Sequence, residues 1–148
     1  MTLLRRTLLA TLSAGFGLAL LPATAEDGIV ILDAYARFLP GAKAGAIYLT
    51  IENRTAVEDR LIAAQTDLAD MAELHRSAMT ADGLMTMEPL PDGLPIVASG
   101  QTVLATGGDH IMVMGLRAHP ADGDMIPLSL TFRDAGTITL EVPVDNRR

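Results

Sequence analysis

Six methionines and two histidines crowd into one stretch of this 148-residue chain: Met71, His75, Met79, Met85, Met87, His110, Met112 and Met114. Thioether sulfur is a soft, uncharged donor that selects Cu(I), and imidazole serves copper and other borderline metals. Two imidazoles with two thioethers make a neutral four-donor set suited to a monovalent ion. Zinc would look for thiolate or carboxylate to complete its shell. The chain has no cysteine. That excludes disulfides, zinc–thiolate and iron–sulfur sites, thiol catalysis, a lipid anchor on a cysteine, and blue copper, which needs a Cys thiolate.

Each of these residues also has an ordinary structural reading. Methionine fills gaps in cores, and a Met at strand spacing is more often core than ligand. In His110-Ile111-Met112-Val113-Met114 the side chains alternate, so His110, Met112 and Met114 share one face while Ile111 and Val113 point to the other. Ile111 and Val113 read as core, which makes the His/Met face the more exposed one. Met85 and Met87 likewise share a face of their own strand. Met71 follows Leu68 in apolar context and is expected in the core. Met114 is either core or a spare sulfur, and Met79 falls in an expected loop as a substitute ligand. His119, before Pro120, reads as a solvated loop histidine. Asp109 is either a turn residue or the group that orients the His110 imidazole.

Strands must position these residues. Ile47–Glu52, Leu128–Arg133 and Ile138–Val142 alternate apolar and polar with a period of two. Further strands are expected over Ile29–Ala36, Arg60–Ala64, Ala72–His75, Leu84–Glu88, Gln101–Ala105 and His110–Leu116. Turn chemistry separates them at Asp82-Gly83, Asp92-Gly93, Ser99-Gly100, Gly107-Gly108, Asp122-Gly123 and Ala135-Gly136. Only Val57–Glu73 offers a helical alternative. Short strands at regular spacing predict an all-β sandwich or barrel with Greek-key connections, as a single domain.

Residues 1–25 carry a different message. Arg5 and Arg6 precede the apolar run Thr7–Leu21, and Ala23-Thr24-Ala25 forms an A-x-A cleavage site. This is the layout of a secretory signal peptide, with 26–148 as the mature domain. Arg5-Arg6 also resembles a twin-arginine export signal. Cleavage removes two arginines and no acids, which takes the net charge from −7 to −9. So acidic a chain is not built to read nucleic-acid phosphates. Glu26 at the mature start excludes a histidine-brace oxygenase, and no G-x-S-x-G elbow supports a serine hydrolase. No enzymatic activity is expected.

Taken together, the residues resemble the PCuAC-type periplasmic copper chaperones, whose signature is His, about ten residues, Met, about twenty-one residues, then His-x-Met. Here His75 is followed after eleven residues by Met87, and after twenty-two more by His110-Ile111-Met112. Gly83-Leu84-Met85-Thr86-Met87 matches the family's Gly-x-Met-x-Met. Taking Met85 as the ligand shortens the first gap to nine, and that choice stays open. Tyr35, Gly45–Asn53, Glu73-Leu74-His75, Met114-Gly115-Leu116, Gly123–Phe132 and Val142-Pro143-Val144 extend the likeness over nearly the whole mature chain. The resemblance implies a cupredoxin-like sandwich that binds Cu(I) through His75, Met87, His110 and Met112, with Met85, Met79 or Met114 as further donors. It implies delivery to the CuA centre of cytochrome c oxidase subunit II, alongside a Sco-type thiol protein, in the periplasm. Two other readings are a periplasmic copper buffer or resistance protein, and a metal-free β-sandwich interaction module. With the ligands on an exposed face, His75→Ala or Met112→Ile is expected to weaken binding and leave the fold intact.

Overall fold

A computed structural model describes residues 28–148; the expected signal peptide, 1–25, lies outside the described residues. Every regular element in them is a strand: β1 (Ile29–Arg37), β2 (Ala44–Asn53), β3 (Asp59–Gln65), β4 (Ala69–Met79), β5 (Met85–Pro89), β6 (Leu94–Ile96), β7 (Gly100–Leu104), β8 (Asp109–Leu116), β9 (Met125–Phe132) and β10 (Gly136–Pro143). The segment that left a helix open becomes β3 and the first half of β4. Its Leu61, Ala64 and Ala69 each bury against the core, on strands and not on a helical stripe. The three-residue β6 goes beyond the strands expected from sequence, being too short, with Pro95 at its centre, to show a period.

The strands form two antiparallel sheets. One runs β1-β2-β8-β4-β5, with β7 also on β2; the other runs β10-β9-β3-β6. Their inner faces meet in one core. The first sheet contributes Ile47, Leu49, Ile51, Leu74, Ile111 and Val113, and the second contributes Leu61, Leu128, Leu130, Phe132 and Val142, all buried. A parallel bridge from Ala36 to Val144 joins the chain's end to β1.

Two local features shape the outer face of the first sheet. A bulge in β1 between Leu32 and Tyr35 re-aims that strand so that Tyr35 stands opposite Tyr48. In β2 the hydrogen-bonding partner changes at Tyr48: Ala44–Ile47 pair with β8, and Leu49–Asn53 pair with β7. β7 and β8 therefore lie end to end along one side of β2. The residues between them leave the sheet in a turn where Gly107 holds φ +83°, a conformation that glycine adopts without penalty.

Candidate metal centre

His75 on β4 and His110 on β8 stand directly opposite each other in the antiparallel register. Their ring centroids are 6.0 Å apart. Opposed residues of an antiparallel pair project to the same side, and so do residues two apart on one strand. The same register sets Met112 opposite Glu73 and Met114 opposite Met71. On the far side of β4, Ser77 faces Met87 and Met79 faces Met85. Every sulfur and imidazole singled out in the 71–114 stretch thus emerges on one face, the outer one. Their strand neighbours Leu74, Ile111 and Val113 fill the core behind.

That face is not uniformly exposed. Met85 and Met87 are 55% and 57% exposed, but His75 and His110 are only 8% and 3% exposed. The expectation that both imidazoles lie open to solvent is overturned. The two rings sit on inner strands of the sheet and shield each other, and the Tyr48 ring lies 6.3 Å from His110 on the β2 side. Met71 corrects the sequence reading in the opposite sense: expected in the core, it is 49% exposed, because its register places it on the outer face. Met79 ends β4 rather than lying in a loop.

For neutral rings, the hydrogen bonds assign which nitrogen of each carries the proton. The Gly108 carbonyl lies 3.1 Å from His110 Nδ1 and also accepts the Ser77 N–H. A carbonyl can only accept, so Nδ1 is the protonated nitrogen and the neutral ring keeps its lone pair on Nε2. His75 Nε2 lies 3.2 Å from a Glu73 carboxylate oxygen, which assigns its lone pair to Nδ1. That Nδ1 is buried and has no hydrogen-bond partner. A buried polar atom left unsatisfied costs about 1–3 kcal/mol, a penalty that a bound cation relieves.

A groove of about 400 Å³ opens beside His110, and Met85, Met87 and Met112 line it together with Tyr48 and Arg37. Small residues make the room. Ala44, Gly45 and Ala46 form part of its wall, as does Ser77, which stands opposite Met87. His75 does not line the groove and flanks His110. A concavity of similar volume, about 410 Å³, lies near Asn53, Asp59 and Asp134 and contains none of the predicted residues.

Some predicted residues fall outside this cluster. Met79, 68% exposed, faces Met85 across β4 and β5 but does not line the groove. Met114 is paired with Met71, two residues past Met112. His119 is exposed in the loop after β8, as expected. Asp109 orients neither imidazole. It holds Arg76 in a two-pronged ion pair at 2.7 and 3.0 Å, across β8 and β4. The groups that do hold the imidazoles, Glu73 and the Gly108 carbonyl, were missed from the sequence, as was Tyr48. Glu73 had a legible signal, being two residues from His75 on the same strand. Tyr48 and Gly108 had none, because they meet His110 through tertiary contact or a turn.

Among the described residues no three His, Asp or Glu side chains gather in a metal-holding arrangement. The donors at this face are two imidazoles and several thioethers, a set matched to a soft monovalent ion.

Residues 29–144 match the family described as "LpqE-like: Putative lipoprotein LpqE-like". A curated relative, "Putative lipoprotein Lxx21020" of Leifsonia xyli subsp. xyli (strain CTCB07), is 33% identical over 150 residues, covering 96% of this chain and 89% of the relative. Both descriptions say lipoprotein, whereas this chain holds no cysteine. Among solved structures, the apo PCuAC domain from PmoF1 superposes with a TM-score of 0.66 at 20% identity, over 79% of this chain and 92% of that one. The Cu(I) form of DR1885 from Deinococcus radiodurans gives a TM-score of 0.64 at 26% identity, over 84% of each chain. The sandwich expected from the family resemblance is thus the fold of this chain.

Proposed function

This chain belongs to the LpqE-like family, and we propose that it is an exported carrier of Cu(I). The observation that carries the reading is the His75–His110 pair. Two buried imidazoles face each other across β4 and β8, one with an unpartnered Nδ1, beside a groove lined by thioethers. His110 Nε2, His75 Nδ1, Met112 and either Met87 or Met85 are the donors. The copper-bound PCuAC domain from PmoF2 and the Cu(I) form of DR1885 share the fold and are consistent with this cargo.

A carrier must release its metal. Neutral thioethers bind Cu(I) without deprotonation, and the exposed Met85 and Met87 lie where an acceptor's ligands can replace them one at a time. We assign the acceptor, on the strength of the family pattern, as the CuA centre of cytochrome c oxidase subunit II in the periplasm, with a Sco-type thiol protein as co-worker. The role is transfer and not catalysis.

Anaerobic Cu(I) titration against a chromogenic chelator, with X-ray absorption on the loaded protein, tests the site. Two sulfur and two nitrogen neighbours are expected, and Met112→Ile is expected to compete less well than the parent chain. If both proteins compete equally poorly, the copper reading fails. Mixing the Cu(I)-loaded protein with an apo CuA domain then separates a carrier from a buffer. Metal that stays put would overturn delivery while leaving copper binding intact.

A further inference from the structure

Beyond the His75–His110 pair, the outer face continues as a ladder of sulfur. Met114 is two residues past Met112 on β8, and its direct cross-strand partner is Met71 on β4. Neither belongs to the core or to the side chains packed against it, and Met71 is 49% exposed. Core packing therefore does not account for two large flexible thioethers opposite each other.

The backbone beneath them is fixed. Gly115, next to Met114, holds φ +70°, and a Cβ there would stand only 2.7 Å from an Asp70 carboxylate oxygen. Arg117 donates from Nε to Asp70 at 3.0 Å and from its backbone N–H to the Leu68 carbonyl at 2.9 Å. These contacts tie β4 to β8 immediately beside the Met71–Met114 pair, on the side toward the start of β4 and the end of β8. Opposed Cβ atoms on neighbouring strands stand about 5 Å apart, a span that two long, unbranched side chains can close around one ion. Same-face residues on a strand repeat every ~6.8 Å. Met112 is thus one step from Met114 and one step from His110, within reach of both.

We propose that Met71 and Met114, with Met112 shared, form a second, thioether-only Cu(I) station beside the imidazole site. Uncharged sulfur alone selects a soft monovalent ion, and without an imidazole the station holds it more weakly. Copper moves between the stations by exchanging ligands at Met112, with no change of oxidation state and no proton to transfer. The inference rests on the Cu(I)-carrier reading above.

The test follows the methionine methyl groups by NMR in protein carrying 13C-methyl-labelled Met, titrated anaerobically with Cu(I). The first equivalent is expected to shift the His75 and His110 ring signals and the Met112 methyl. The second is expected to shift Met71 and Met114. In the double variant Met71→Leu/Met114→Leu, where volume is conserved on an exposed face, the second equivalent is lost and the first binds unchanged. Met71 and Met114 methyls that stay still through the second equivalent, or a double variant that still takes it up, would overturn the station. If the imidazole signals also stay still, the carrier reading fails with it.

Discussion

A buried imidazole nitrogen without a donor, His75 Nδ1, sets the chemistry at the scale of the residue. Glu73 and the Gly108 carbonyl hold one nitrogen of each ring, so the lone pairs that remain are fixed in place before any metal arrives. The proposed donors therefore separate into two kinds. Met87 is exposed, and Met87→Leu is a nearly volume-conserving change expected to alter apo stability by less than about 1.5 kcal/mol. If Met87 rather than Met85 is the donor, it also weakens Cu(I) at least about tenfold, or 1.4 kcal/mol; chemical unfolding and competitor titration read the two effects separately. His75→Ala empties a buried position, so it is expected to lower apo stability as well as remove the metal, in contrast to the fold-neutral outcome expected from sequence. Imidazole coordinates only when neutral, so Cu(I) affinity is expected to fall on acidification. The Met71–Met114 station, having no titrating donor, is expected to be indifferent over the same range.

Elements build the groove by what they leave out. β2 exchanges β8 for β7 at Tyr48, and small side chains wall the space. Gly45 is the tightest point, because a Cβ there would overlap the Phe38 ring. Phe38 is itself buried, so Gly45→Ala is expected to cost about 1–3 kcal/mol and to shift the groove wall, readable as a lower midpoint of denaturant unfolding. In the other sheet, Asp59 ties β3 to the β9–β10 turn. Burial alone would push its carboxyl up, but the backbone N–H groups of Arg60, Asp134 and Ala135, with the charge of Arg133, outweigh that and hold it below the ordinary value. A carboxyl lowered in the folded state stabilises above its unfolded value of about 3.9, and that contribution is lost as pH falls through the folded value. Asp59→Asn is accordingly expected to destabilise by about 1–3 kcal/mol at neutral pH, with the gap to the parent chain closing below about pH 4 in paired unfolding curves.

At the scale of the whole molecule, the proposed Cu(I) binding is expected to be linked to folding. Cu(I) that binds only the folded state stabilises it by about 2.7 kcal/mol when free metal is a hundredfold above the dissociation constant. A rise in Tm with Cu(I), absent in Met112→Ile, is the expected outcome. We propose cleavage after Ala25, so protein recovered from the periplasm is expected to begin at Glu26 by intact mass; a retained leader would contradict that.

Periodicity together with turn chemistry revealed most of the strands, because one-sided burial writes itself into a sheet as alternation and turns mark its ends. The turns at Gly83, Gly93, Gly107, Gly123 and Gly136, all at positive φ, were legible for the same local reason. The proposed donors were legible as residue types, since soft sulfur without cysteine narrows the chemistry before any fold is known. Strand register was not. Which residues face one another across β4, β5 and β8 is a relation between distant segments, and it put Met71 on the outer face, sank both imidazoles and left Asp109 on Arg76. Sequence by itself determined the candidate donor types and the alternating strands, because both are properties of a residue and its immediate neighbours. Only the tertiary structure decided which donors meet, how deeply they are buried and which nitrogen is free, because those depend on hydrogen bonds between strands far apart in the chain.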